Sequence, residues 1–214
     1  MLERSDAPKR CSERREVTAL FTDIEGFSVM TRRTDPAALV DALDEYFEGM
    51  ATIIVKHGGM IDKIVGDAVH AFFNASLDLE GHPQKAIECA IALSSWAESF
   101  RLRPEVEAIG FGRTRIGIET GPAIVRDVGL HAKLDYTAYG DAVNVAARLE
   151  QANKELGSSI CIGPSAASRC HQSLLRPLGK IIIDGRDDAM SVFEPWSCSA
   201  TGGRQENCLA PIDL

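Results

Sequence analysis

The sequence predicts an α+β fold, an α/β sandwich of the ferredoxin-like kind in which helices pack on one face of a largely antiparallel sheet. Strand-like and helix-like apolar patterns are interleaved along the chain, and hairpin signals join several neighbouring strands. The chain has 214 residues, of which 45% are hydrophobic and 25% charged. It is therefore long and apolar enough to form one full globular domain with a core.

The first half of the chain is predicted to contain three strands and two helices. Asp35 precedes Pro36, which is typical of an N-cap followed by proline in the first helical turn. The Gly66-Asp67 dipeptide between two apolar runs predicts a tight hairpin. The predicted elements are a strand at 16–22, a helix from Pro36 to the glycines at 58 and 59, strands at 60–65 and 68–74, and a helix at 83–100.

The second half continues the alternation of strands and helices. A turn at Gly121-Pro122 is predicted to divide the apolar stretch at 112–129 into two strands. Gly157 is predicted to end a helix. The other predicted elements are a short strand from Lys133 that leads into this helix, a strand at 159–163, a short helix, and strands at 178–184 and 191–195.

These elements assign residues 16–196 to one domain. Residues 1–15 are predicted to be a linker or a cut N-terminal end, and residues 197–214 a disordered tail. The net charge of −8 argues against nucleic-acid binding, which needs clustered Lys and Arg. Because neither a membrane-spanning apolar run nor a signal peptide is found, we expect a cytoplasmic protein or the cytoplasmic portion of a membrane-attached parent.

Two aspartates are candidates for binding metal. Asp23 ends an apolar strand, and Asp67 lies at the hairpin tip. If the strand pairs beside the hairpin, both carboxylates face one point, and two carboxylates with phosphate oxygens are a usual way to hold Mg²⁺. The alternatives are that Asp23 caps the next helix, and that Asp67 forms a local salt bridge with Lys63.

Asn144 and Arg148 are four residues apart, so they share one face of a predicted helix. An arginine directed from this face at a ligand or a neighbouring subunit would stabilise negative charge developing on phosphate. The alternative interpretation is an exposed arginine on a solvated helix.

Three motifs in register, "FTDIEGFS", "KIVGDAV" and "YGDAVNVAARLE", resemble the catalytic domain of class III nucleotidyl cyclases, over residues 16–196. The resemblance implies the fold of that family and an adenylyl cyclase that converts ATP to 3′,5′-cyclic AMP and pyrophosphate. It implies two Mg²⁺ (or Mn²⁺) ions in each active site. The residues that match the family's functional positions are Asp23, the Ile24 carbonyl and Asp67 for metal, Lys63 and Thr137 for the purine, Asn144 for the ribose, and Arg148 for the transition state.

The purine readers favour ATP. A lysine ammonium donates to adenine N1 and a threonine hydroxyl can accept from N6, whereas guanine reverses this edge. Guanylyl cyclases typically carry Glu at the position of Lys63, so that alternative is disfavoured. The hydroxyl of Thr137 can also donate, which makes selection for ATP less strict than with Asp, the residue in many relatives.

One position departs from the family pattern. The family commonly has a basic residue before a glycine where the chain contacts the triphosphate, and this chain has Asp184 before Gly185. Arg186 follows and is predicted to substitute as a substrate-binding residue. Asp184 is also the one residue that supports a third alternative, a catalytically silent cyclase-like module that dimerises and relays a signal.

The resemblance further implies a homodimer whose active sites are shared between chains, because each chain holds both sets of residues once. Regulatory or sensor domains are expected to precede the domain in a longer parent protein. No dedicated protein base is expected, since all five histidines lie outside the three motifs.

Overall fold

The computed structural model describes residues 12–130, 133–171, 174–196 and 212–213. Its strands are β1 (Ser12–Ile24), β2 (Met60–Val65), β3 (Ala68–Phe73), β4 (Thr114–Leu130), β5 (Lys133–Tyr139), β6 (Ile160–Ile162), β7 (Leu175–Ile182), β8 (Met190–Pro195) and β9 (Ile212–Asp213). Its helices are α1 (Phe27–Arg33), α2 (Pro36–Lys56), α3 (His82–Arg101), α4 (Pro104–Ala108), α5 (Asp141–Leu156) and α6 (Pro164–Ala167). None of these helices is both long and apolar enough to cross a membrane.

In the described part of the chain the strands form one nine-stranded sheet of order β2-β3-β1-β4-β6-β8-β7-β9, with β5 on β4. The pairs β4–β6 and β7–β9 are parallel, and all other pairs are antiparallel. The predicted α+β class with a largely antiparallel sheet is confirmed.

Helices pack on both faces of the sheet, so the prediction of a single covered face was wrong. On β1, Leu20 belongs to the core cluster that includes Tyr46 of α2 and Ile87 of α3. The neighbouring Ala19 belongs to a second cluster that includes Ala146 of α5. Because successive residues of a strand point to opposite faces, α5 lies on the other side of the sheet from α2 and α3.

The predicted turn at Gly121-Pro122 was also wrong, because β4 runs through it without interruption. Gly121 pairs with Val17 and Pro122 with Glu16 of β1. On the opposite side, β6 pairs only with Ile116–Ile118, and β5 begins to pair at Ile124. Proline lacks a donor for the ladder, and here it falls in the gap between two partner strands, where that loss is tolerated.

The local signals around α2 and the hairpin gave correct predictions. The Asp35 side chain accepts hydrogen bonds from the backbone N–H groups of Ala37 and Ala38. Gly66 has φ of 63°, in the left-handed region that the tight turn from β2 to β3 requires.

The N-cap of α1 is Gly26, with no side-chain cap, so the alternative that Asp23 caps a helix was wrong. Helices α1 and α4, of seven and five residues, were not predicted because they are too short to show apolar periodicity.

The two ends differ in part from the prediction. Residues 12–15 belong to β1 and pair with Arg126 to Ala123 of β4, so the strand starts four residues before the predicted one. Ile212 and Asp213 pair with β7, in a segment predicted to be disordered. The rest of the predicted linker and tail, residues 1–11, 197–211 and 214, lies outside the described residues.

Replacing Gly117 with alanine is expected to destabilise the fold by about 3 kcal/mol, because α5 crosses β4 here at backbone contact. A Cβ at Gly117 would lie 2.1 Å from the Ala146 carbonyl oxygen and 2.2 Å from the Glu150 nitrogen. Gly157→Ala is the matched control, since a Cβ there meets nothing within 4 Å and only the left-handed conformation is penalised, by about 1 kcal/mol. Urea unfolding of both variants checks the ranking; equal losses would contradict it.

Candidate active site

The antiparallel pairing of β1 with β3 brings Asp23 and Asp67 together at one edge of the sheet. Asp67 lies in the turn between β2 and β3, and its carboxylate accepts a 2.9 Å hydrogen bond from the backbone N–H of Ile24. Burial is the main cause that raises the pKa of Asp67, and the neighbouring Asp23 carboxylate raises it further. The predicted convergence of the two carboxylates is therefore what the structure contains.

A guanidinium that the sequence did not single out completes this cluster. Arg115 is directly opposite Asp23 in the β1–β4 register, and its Nη2 contacts the Asp23 carboxylate. Its Nε lies 3.1 Å from a carboxylate oxygen of Glu150 on α5. Only the pairing of β1 with β4 and the packing of α5 bring these three residues together, since they lie far apart in the sequence.

The cluster carries an excess of negative charge. Three carboxylates, those of Asp23, Asp67 and Glu150, interact with one another, and the guanidinium of Arg115 contacts those of Asp23 and Glu150. Burial, with a smaller contribution from the Asp23 carboxylate, raises the pKa of Glu150 to about 7. Burial and mutual repulsion disfavour the charged form of these carboxylates, and an added cation would stabilise it.

The donor set fits a hard divalent cation such as Mg²⁺. Asp23 and Asp67 offer carboxylate oxygens, which Mg²⁺ prefers. Among the described residues, no group of three or more His, Cys, Asp or Glu side chains is arranged to hold a metal. A cation held by two carboxylates keeps coordination positions open for the oxygens of a bound ligand. The arrangement therefore suits a metal that arrives with a phosphate-bearing molecule.

Lys63 does not form the salt bridge with Asp67 that the sequence suggested as an alternative. Its ammonium lies 3.1 Å from the carboxylate of the preceding residue, Asp62, and its side chain is 45% exposed. Thr137 is buried on β5, and β5 contacts β2, the strand that carries Lys63. The two predicted purine readers are thus on strands that contact each other within one chain, although β2 and β5 are not paired in the sheet.

Asn144 and Arg148 lie on α5, Asn144 exposed and Arg148 half-buried. The guanidinium of Arg148 approaches Gly185, in the turn between β7 and β8, and lines a cavity of 460 Å³ together with Asp184 and Lys154. Glu150, two residues further along α5, contacts Arg115 instead. Residues two apart on a helix are separated by about 200° around its axis, so within one chain Arg148 and the aspartate pair are on different sides of α5.

The turn between β7 and β8 is tied to the start of α5. Arg186, predicted to bind substrate, contacts the carboxylate of Asp141, the first residue of α5. Asp184 is exposed and lines the same cavity as Arg148. The structure thus brings Arg148 and Asp184 together, and it gives Arg186 a carboxylate partner that a substrate phosphate would have to replace.

Comparison with known proteins gives consistent matches. The family model for the adenylate and guanylate cyclase catalytic domain matches residues 10–193. "Adenylate cyclase 1" of Rhizobium meliloti is 38% identical over 186 residues, which are 86% of this chain and 28% of that protein. "Adenylate cyclase" of Anabaena cylindrica is 33% identical over 84% of this chain and 36% of that protein. The solved structure of the adenylyl cyclase CyaB from P. aeruginosa has a TM-score of 0.76 at 28% identity and covers 93% of this chain and 99% of that one.

Proposed function

The chain belongs to the family of adenylate and guanylate cyclase catalytic domains, and from this membership we propose that it converts ATP to 3′,5′-cyclic AMP and pyrophosphate. The observation that carries the proposal is the convergence of Asp23 and Asp67 with the cation of Arg115 at one edge of the sheet. In the reaction, the ribose 3′-hydroxyl attacks the α-phosphate of the same nucleotide and pyrophosphate leaves. The preference for ATP is supported by Lys63, which carries a positive charge at the position where an acidic residue would favour guanine.

Family members use divalent metal ions, and we propose two Mg²⁺ or Mn²⁺ ions in each active site, held by Asp23, Asp67 and the carbonyl of Ile24. When bound, such ions acidify the 3′-hydroxyl and neutralise charge on the triphosphate. Arg115 holds the Asp23 carboxylate in position and offsets part of its charge. The hydrogen bond from Ile24 fixes Asp67 in the same way, so both carboxylates are oriented before a ligand arrives.

The remaining residues act on the nucleotide itself. Lys63 and Thr137 contact the purine edge, and Asn144 orients the ribose. Arg148 stabilises the charge that builds on the α-phosphate in the transition state. Arg186 breaks its contact with Asp141 and binds the triphosphate instead. This added positive charge compensates for the acidic Asp184.

We propose that each active site is shared between two copies of the chain in a homodimer. Arg148 and the aspartates lie on different sides of α5, so one copy supplies the carboxylates while the other supplies Lys63, Thr137, Asn144 and Arg148. Apolar side chains remain exposed on β2 and on the β4–β5 pair, which supports burial against a partner. They are Ile64 (46% exposed), Val65 (55%), Ile124 (41%) and Tyr139 (54%).

The chain spans about a third of the length of the two curated relatives described above. We therefore propose that regulatory or sensor domains precede this domain in a longer parent protein. With ATP as the proposed substrate, we assign the domain to the cytoplasm. The net charge of −8 argues against a nucleic-acid partner.

The test is to incubate the protein with Mg²⁺ or Mn²⁺ and either ATP or GTP, and to separate the products by chromatography. We expect cyclic AMP, with kcat/KM for ATP at least about tenfold above that for GTP, because Lys63 pairs with adenine N1 and not with guanine. More cyclic GMP than cyclic AMP would identify a guanylyl cyclase. No cyclic product at a protein concentration that sustains the dimer would identify a silent module.

A further inference from the structure

Strand β2 contains a β-bulge immediately before Lys63. Ile61 pairs with Ala71 and Lys63 pairs with the adjacent His70, so Asp62 is an extra residue without a partner on β3. A bulge bends the strand and redirects side chains, and such bulges are over-represented near active sites. This one lies at the residue proposed to read the purine.

The bulge explains how two adjacent side chains of one strand meet. In a regular strand, neighbouring side chains point to opposite faces, yet the Lys63 ammonium lies 3.1 Å from a carboxylate oxygen of Asp62. The Asp62 side chain is 2% exposed, whereas that of Lys63 is 45% exposed. The pair thus consists of a fixed, buried carboxylate and an ammonium at the surface.

This arrangement costs stability. The other carboxylate oxygen of Asp62, Oδ1, is buried and has no hydrogen-bond partner among the described residues. A buried acceptor without a partner is unfavourable, and an ion pair with a half-exposed lysine returns little. A buried carboxylate that reduces stability here points to a role in function.

Among the described residues, Lys63 is the cation that contacts Asp62. His70, paired with Lys63 across the hairpin, has its pKa lowered by burial, so it is neutral at neutral pH and does not compete for the carboxylate. A lysine ammonium has three donors on a flexible four-carbon stem. Without an anchor it would sample many positions, and ordering it on binding would weaken the contact with a base.

We propose that Asp62 is a positioning residue that directs the Lys63 ammonium toward the purine and thereby sets the preference for ATP over GTP. The proposal rests on the proposed cyclase function. One ammonium proton bonds to Asp62, and the remaining two stay available to adenine N1, an acceptor that guanine replaces with a donor. Asp62 itself does not contact the nucleotide.

The experiment compares wild-type protein, Asp62→Asn, Lys63→Gln and the double variant, with kcat and KM measured for ATP and for GTP. For Asp62→Asn we expect the ratio of kcat/KM for ATP to that for GTP to fall about tenfold, mainly through a higher KM for ATP, with kcat within about twofold and an unchanged or higher Tm. Asp62→Ser, which also removes the carboxylate, serves as a second variant if Asp62→Asn does not fold. In the Lys63→Gln background, Asp62→Asn should change the ratio no further, because Asp62 acts only through Lys63.

Three outcomes would overturn the proposal. If Asp62→Asn keeps the wild-type ATP preference while wild-type protein makes cyclic AMP, the positioning role is wrong and the cyclase function stands. If the two substitutions are additive, Asp62 acts by a route other than Lys63. If wild-type protein forms no cyclic nucleotide, the proposed function fails and this inference fails with it.

Discussion

Asp67→Asn protein is expected to lose cyclase activity by at least about a hundredfold at saturating ATP, because a proposed metal ligand is removed while the shape of the site is preserved. The asparagine oxygen can still accept the hydrogen bond from Ile24, so the hairpin should keep its geometry. The substitution removes only the negative charge that Asp67 places beside Asp23. The measurement is cyclic AMP formation at several Mg²⁺ and Mn²⁺ concentrations.

The same substitution is expected to leave the metal-free protein as stable as wild type or more stable. Burial and repulsion from Asp23 raise the pKa of Asp67, so the folded state without metal is destabilised by its charge at neutral pH. The Tm of both proteins, measured with a chelator present, checks this and shows whether any loss of activity comes from a less stable fold. The control is Asp78→Asn, which removes an exposed aspartate paired with Arg15 and should leave activity unchanged. Activity retained by Asp67→Asn would contradict the metal-site assignment.

Those parts of the fold that depend on local signals were predictable from the sequence. The N-cap at Asp35, the hairpin at Gly66 and the helix end at Gly157 each follow from the conformational preference of one or two residues. The convergence of Asp23 and Asp67 was predicted on the same basis, because a strand end and a hairpin tip meet when the strands pair. The pairing of β1 with β3 supplies that condition.

What the sequence did not reveal depends on contacts between distant segments. Arg115 becomes part of the site only through its register opposite Asp23, and Glu150 only through the packing of α5 on β4. The contact of Lys63 with Asp62 was not predicted either, but for a local reason. A bulge adds a residue and changes which side chains face each other, and no residue type in "MIDKIV" signals it.

The second large effect concerns complementation between two inactive variants. Arg148→Ala should lose the group proposed to stabilise the transition state, at a cost of about a hundredfold or more in kcat. Within one chain, Arg148 approaches Gly185 while Glu150 joins the cluster around Asp23, so the two defects fall in different halves of the proposed shared site. In a mixed dimer, one site then carries both defects and the other carries neither.

Mixing equal amounts of Asp67→Asn and Arg148→Ala protein is therefore expected to restore about a quarter of wild-type activity, since random pairing makes half of the dimers mixed and each has one intact site of two. Mixing Asp67→Asn with Asp23→Asn is the matched control. Both of those defects lie in the same half of the site, so every site in the mixed dimer is defective and no activity should return. If differently tagged Asp67→Asn and Arg148→Ala chains copurify without recovering activity, each site is built from a single chain, and Arg148 must reach the aspartates by a rearrangement of α5.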